Sequence, residues 1–360
     1  MKQIVFILTT LDSHARHRVD DFVAHGFDVH VYSFTRTNEK QSTEAPWPLD
    51  IIGAFANALP YHKRLSILYK GIKTVANKYK KEKDVCFYYL GLDIAMIATF
   101  VVKHPYIFEE CDLNHTYIGN SLLRKAFEKL DCHIIKKSLR TVFTSEGFFS
   151  FHNLKDTSNI SIIANKLPES IRAIKLLEPR KTDINRLSFG FAGSVRYETI
   201  TSFASILCRN YPQHEFHFFG NVQECVKDKA NELENYPNCH FHGRFQSPVD
   251  LPKIYSQLDF TLATYDTRFE NVRYAEPNKI YEAVYFRTPI IVSKGTFLEE
   301  KTISQKLGFA VDAMSEEDVK RFIDGLTIGM IAKAKSDIAN TPIDYAIDNN
   351  EDFFHLLKQK

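Results

Sequence analysis

The stretch Ala275-Glu276-Pro277-Asn278-Lys279-Ile280-Tyr281-Glu282-Ala283 runs on through residues 284–288 into the apolar run 289–293. Pro277 suits the first turn of a helix, where a missing N–H costs nothing. A helix is therefore expected over 276–287, with its free backbone donors open at about Glu276. Such an opening attracts anions. Lys279 and Glu282 are three apart and share a helical face, which places a cation near the opening and a carboxylate one turn deeper. A carboxylate can accept two hydrogen bonds from a vicinal diol, as acidic residues do when they hold a ribose. The competing reading is a capped surface helix with an i,i+3 ion pair.

A helix that leads into a short apolar strand is half of a β-α unit, and the same alternation extends outward from it. Strands are expected at 187–192, 215–219, 239–242, 258–263, 289–293 and 309–311, with further helices at 198–209, 223–234, 249–257, 299–307 and 315–336. An earlier series reads as strands at 3–8, 27–33, 84–90, 105–110, 141–144 and 160–164, with helices at 14–25, 62–82, 92–103, 119–138 and 146–152. This is the pattern of parallel sheets with crossover helices. Residues 169–186 carry charges and Pro179 without a strand pattern, and read as a linker. The expectation is an α/β protein of two Rossmann-like domains facing each other across a cleft, 1–168 and 187–340. A last helix within 343–360 is expected to fold back over the first domain.

Composition agrees with this reading. The chain has 360 residues, 44 % hydrophobic and 25 % charged, which excludes disordered, collagen-like and coiled-coil chains. A net charge of +2 does not call for a nucleic-acid partner. The longest apolar stretch, 94–102, is far short of the roughly 20 residues of a spanning helix, and the N-terminus reads as a strand rather than a signal peptide. A cytoplasmic location is expected. The six cysteines form no C-x-x-C pair, so no zinc site or disulfide framework is indicated, and no metal or other cofactor is expected.

Open parallel sheets bind ligands outside the carboxyl ends of their strands, so residues just after strands are the informative ones. Gly190-Phe191-Ala192-Gly193-Ser194-Val195-Arg196 opens the second series: backbone at Gly193-Ser194 can approach a phosphate, and Arg196 offers a planar fork to its oxygens. Two more strands lead into Gly220-Asn221 and Gly243-Arg244-Phe245. Three glycines after three strands form a floor for a flat or phosphorylated ligand, although each alone is explained by a turn.

At these residues the second half resembles nucleotide-sugar glycosyltransferases of the GT-B fold, family 4 and its bacterial capsule-type members. The resemblance spans about residues 187–312 and is most specific at Glu276–Ser293, which looks like the family's P-x-K-x-x-E helix and following strand. It implies that Glu282 holds the ribose hydroxyls, Arg196 and Lys279 the diphosphate, and Gly243, Arg244 and Phe245 the base edge. One departure is that the residue eight before Glu282 is Tyr274, where the family often has a glutamate. Glu276, Asn278 or helix-opening amides would take that role near the donor sugar.

The first half resembles the family more loosely. Leu11-Asp12-Ser13-His14-Ala15-Arg16 follows the first strand as an acceptor or phosphate loop, with Ser13 as helix N-cap. Glu109-Glu110-Cys111-Asp112-Leu113-Asn114-His115 follows the fourth expected strand, where the family places a turn touching the transferred sugar. Asp112, His115 and Glu276 are the catalytic candidates. Asp112 in such a turn is equally explained by backbone needs. Residues 62–83 hold eight Lys and Arg against Glu82, a solvated helix face or a contact with anionic lipid at the inner face of the membrane.

The resemblance implies a nucleotide-sugar donor and a glycan or lipid-linked sugar acceptor in bacterial surface glycan synthesis, with a hexosyltransferase-like, retaining reaction. Two rivals share the fold: a sugar-nucleotide epimerase, and a catalytically inactive nucleotide-sugar-binding subunit.

Overall fold

Ile4 to Leu8 is apolar without a break and fully buried, as a central strand of a sheet covered on both faces must be. The computed structural model describes residues 3–37, 44–56 and 59–359. Within them the chain divides into two units, Met1–Ala164 with Asn350–Lys360, and Asn165–Asn349.

The first unit is built on β1 (Gln3–Leu8), β2 (Asp28–Arg36), β3 (Leu49–Phe55), β4 (Val85–Leu90), β5 (Tyr106–Glu110), β6 (Arg140–Phe143) and β7 (Ile160–Ile162). All pair in parallel, in the order β3-β2-β1-β4-β5-β6-β7. Phe6, Phe22 and Tyr88 anchor the core. The helix Glu351–Lys358 belongs to this unit, its Phe354 ring meeting Phe22 edge-on at 5.0 Å between centroids. The sequence reading lacked β3. Its residues are mostly half-buried or exposed, so Leu49-Asp50-Ile51-Ile52-Gly53 shows neither an unbroken apolar run nor clean alternation. It is an edge strand, where one side has no neighbour to satisfy.

The second unit carries β8 (Ser188–Ala192), β9 (Glu215–Phe219), β10 (Cys239–Phe241), β11 (Phe260–Ala263), β12 (Ile290–Ser293) and β13 (Gly308–Val311). They too are all parallel, in the order β10-β9-β8-β11-β12-β13. Here every expected strand is present. The strand order reverses between β8 and β11, the position where open α/β sheets leave a crevice at the strand ends.

Several local expectations differ from the structure. The helix expected from Glu276 begins at Lys279 and ends at Tyr285, while Glu270–Tyr274 forms a separate short helix. Ala275 is extended, which turns the chain at Glu276-Pro277. The helix Ser13–Ala24 is capped by Asp12, whose carboxylate accepts from the Ala15 N–H at 2.9 Å; Ser13 is already its first residue. The single helix expected over 315–336 is two, Glu316–Asp324 and Ile328–Ala339, the second restarted by the Thr327 cap. The segment 169–186 counts with the second unit, and Ile171 in it is fully buried.

Candidate functional site

β10, β9 and β8 are neighbours, and each runs into a turn that holds a glycine. The turns are bonded to one another: Gly193 N–H donates to Phe219 O at 2.7 Å, Gly220 N–H to Gly243 O at 2.7 Å, and Val195 N–H to Asn221 O at 2.9 Å. Gly220 has φ +128°, and a Cβ there would lie 2.0 Å from the Gly193 carbonyl oxygen, so no side chain fits. A Cβ on Gly193 would come within 3.0 Å of Lys279 Nζ. Bare backbone therefore lies directly against an ammonium, the close approach that a phosphate group needs.

Lys279 and Glu282 are not a surface ion pair. They are only 6 % and 3 % exposed. Tyr255 OH donates to Glu282 Oε2 at 2.6 Å and Asn278 Nδ2 donates to Oε1 at 2.7 Å, which fixes the carboxylate while leaving each oxygen a further lone pair. Lys279 Nζ makes a long 3.4 Å bond to Asn278 Oδ1 and lies 5.4 Å from the Phe191 ring centroid. Burial holds its ammonium below the usual range, Glu282 pulls the other way, and Arg196 adds to the lowering. Two cations held near each other, one of them desolvated, favour an anion between or beside them.

The other donor-side residues gather on the same turns. Ser194 and Arg196 are exposed on the turn after β8, with the Arg196 guanidinium 5.0 Å over the Tyr197 ring. Arg244 is exposed after β10, and its Nε donates to Asn221 Oδ1 at 3.0 Å; Phe245 beside it is half-buried. Asn278 is exposed at the start of the Lys279–Tyr285 helix. Glu276 differs from these. It lies before the helix, is 3 % exposed, and accepts from Lys301 Nζ at 2.6 Å and from Tyr281 OH. Its second oxygen has no hydrogen-bond partner.

In the first unit the strand ends carry carboxylates and histidines. Glu109, fully buried at the end of β5, accepts two bonds from Arg18 Nε at 3.2 and 3.3 Å and one from Arg18 Nη2 at 3.1 Å. It also accepts one from Tyr88 OH at 2.5 Å and pairs with His14 Nε2 at 2.9 Å. Burial alone would raise this carboxyl; Arg18 and then His14 outweigh it and hold the group well below the usual carboxylate range. Asp112 is exposed on the turn after β5. His115, three residues on, is fully buried and turned toward Asp131. A cavity of about 340 Å³ beside it is lined by Arg64, Leu92, Met96, Tyr117, Ile118 and Phe127, among others.

Residues not singled out from the sequence complete these arrangements. Tyr255, which holds Glu282, and Lys301, which neutralises Glu276, come from 27 and 25 positions away. Arg18 reaches Glu109 across 91 positions. Spacing carries no signal at such separations. The burial of Glu109 did have one, since an acid inside an apolar strand run requires a partner.

Residues 194–329 match the family model described as glycosyl transferases group 1, which covers the glycine turns after β8, β9 and β10 from Ser194 onward and the Lys279–Tyr285 helix. The chain is 21 % identical over 364 residues to the succinoglycan biosynthesis protein ExoL of Rhizobium meliloti, covering 94 % of this chain and 88 % of that protein. Among solved structures, Anabaena HepE in complex with UDP and glucose aligns at TM-score 0.69 and 14 % identity, over 100 % of both chains. Sucrose-phosphate synthase from Thermosynechococcus elongatus aligns at TM-score 0.68 and 11 % identity, over 100 % of this chain and 98 % of that one. The fold is that of GT-B enzymes, two Rossmann-like units in one chain.

Proposed function

We propose that this chain, a glycosyltransferase by its group 1 domain, moves a sugar from a nucleotide-sugar donor to a hydroxyl of a bacterial surface-glycan acceptor. The observation that carries the proposal is the glycine floor with Lys279 Nζ against Gly193. The floor's backbone, Lys279 and Arg196 take the diphosphate, Glu282 the ribose, and Gly243, Arg244 and Phe245 the base edge. ExoL, named for succinoglycan biosynthesis, and the HepE complex with UDP and glucose support this reading of donor and pathway class.

The leaving group is a nucleoside diphosphate whose negative charge grows as the glycosidic bond breaks. Fixed cations and amides stabilise that charge without having to reorganise, so the diphosphate needs no metal of its own. Lys279 is suited to this because burial strengthens its field. Asp112, exposed on its turn, is the residue proposed to meet the transferred sugar; buried His115 positions that turn. Glu276, tied to Lys301, shapes the approach to the Lys279–Tyr285 helix. Retention of anomeric configuration is proposed with the family resemblance.

The acceptor side belongs to the first unit. The cavity beside His115 joins apolar walls to the Arg64 and Asp93 ion pair, a lining that suits a sugar carried on an apolar anchor. Among the described residues no helix is long and apolar enough to cross a membrane. Attachment to an anionic membrane surface is proposed for the exposed basic residues of 62–83.

Thermal shift across a panel of nucleoside diphosphates and their sugars tests the donor site, since a ligand bound to the folded state raises the melting point. Incubating the best donor with and without candidate acceptors then separates the activities. Transfer with retained configuration by NMR is expected. An isomerised donor in the absence of acceptor would make the protein an epimerase, and tight binding without turnover an inactive subunit.

A further inference from the structure

Four ionisable side chains of the first unit meet where no water reaches. Glu110 comes from the end of β5, Asp131 from the helix Ser121–Lys137, His152 from the end of the helix Glu146–His152, and His115 from the 3-10 turn Asn114–Tyr117. Their side chains are at most 1 % exposed. His152 Nε2 lies 2.8 Å from Glu110 Oε2 and 4.0 Å from Asp131 Oδ2, and His115 Nδ1 lies 3.3 Å from the same Asp131 oxygen.

Hydrogen bonding accounts for only part of this cluster, the pair of His152 Nε2 and Glu110 Oε2 at 2.8 Å. Glu110 Oε1, both oxygens of Asp131 and both nitrogens of His115 have no hydrogen-bond partner. Two carboxylates out of water need compensating positive charge, and buried polar atoms need partners. A divalent cation supplies both at once: its charge cancels two carboxylates, and it takes lone pairs that no donor here fills. Carboxylate oxygen together with imidazole nitrogen is a zinc-type donor set rather than a magnesium or calcium one. One ligand atom from each of Glu110, Asp131 and His152 lies within 4.8 Å of the others. Around a tetrahedral zinc, ligand atoms stand about 3.4 Å apart, between the observed 2.8 and 4.0 Å.

We infer that Glu110, Asp131 and His152, with His115 as the fourth side chain, form a buried structural site for a divalent cation of the zinc class. The ion ties β5, the 3-10 turn and two helices together. It thereby fixes the turn that presents Asp112, which lies between Glu110 and His115 in the chain. All four side chains belong to the first unit, whereas the proposed donor residues belong to the second.

The test uses the full chain, purified without chelator or a metal-affinity step and assayed for metal by mass spectrometry. After dialysis against a chelator it is titrated with Zn2+ and, separately, Co2+. The expected result is one equivalent of Zn2+ bound, a melting point several degrees higher with Zn2+, and visible Co2+ bands of four-coordinate intensity. Glu110→Gln and His152→Gln are expected to weaken Zn2+ binding at least 100-fold, whereas His14→Gln, beside Glu109, leaves it unchanged. If the two cluster variants fail to fold, the Co2+ spectrum of the unaltered chain decides. Metal-free protein whose melting point ignores Zn2+, or Co2+ that shows only the spectrum of the aquo ion, would mean that the cluster is balanced by protons and would overturn the inference.

Discussion

The two units share one architecture and put charge at their strand ends for opposite purposes. In the second unit β8, β9 and β10 end in glycine turns, Gly220 has no room for a side chain and Gly193 lies against Lys279, a cation with only a long hydrogen bond. In the first unit Glu109, at the end of β5, is enclosed by Arg18, His14 and Tyr88. One arrangement leaves a cation short of hydrogen-bond acceptors and open to a ligand; the other spends its charge inside the fold. A charged residue at a strand end is thus a site only where its partners are missing, and that is a property of packing rather than of residue type.

The sharpest way to break this contrast is to remove one charge from each unit. Glu109→Gln removes the fully buried carboxylate that Arg18, His14 and Tyr88 enclose, leaving Arg18 the Asp21 carboxylate at 3.6 Å, and should cost about 3 kcal/mol of stability in urea unfolding. Lys279→Met, by contrast, removes a desolvated cation, so unfolding free energy should stay within about 1 kcal/mol of the parent while kcat/KM for transfer falls by about 100- to 1000-fold. If Lys279→Met unfolds the protein and Glu109→Gln does not, the roles assigned to the two strand ends are reversed.

A second comparison lies within the second unit. His217 on β9 is nearly buried, with its Nδ1 3.0 Å from His242 Nε2. Burial, and then the neighbouring His240 and His242, hold its pKa down to about 4. The folded state therefore binds this proton less readily than the unfolded chain, so stability is present above pH ~6.5 and declines as pH falls toward 4. The size is on the order of 2 kcal/mol. Replacing His217 with Gln should flatten that part of the stability profile, and an unchanged acid slope would assign it to other groups. The smallest effect is expected at the surface. Lys78 donates to Tyr32 OH at 2.6 Å and lies 3.7 Å from Asp50, so it serves the fold. Charge reversal at exposed Lys80, Lys81 and Lys83 should instead lower liposome pelleting a few-fold at low salt, and no change would leave these residues as a solvated face.

How far the sequence could be read follows the same division. The strands of the second unit were legible because each is short and mostly apolar, such as Phe189-Gly190-Phe191-Ala192, and β8, β9 and β10 run into the glycine turns at Gly193, Gly220 and Gly243. Lys279 and Glu282 were legible as a pair because three-residue spacing is local. What was hidden depends on long-range contact. Glu276 looked like an open acid at a helix start and is instead tied to Lys301, 25 positions on. His115 looked available in its turn, and the turn folds it inward toward Asp131, which belongs to the next helix. β3 was hidden because an edge strand need not bury both faces.

Calorimetric titration of a nucleoside diphosphate into the unaltered chain and into Lys279→Met reads the central claim most directly. The account predicts one site per chain, weakened at least tenfold by the substitution. Equal affinity in the two proteins would contradict it, because the phosphates would then lie somewhere other than against Gly193 and Lys279.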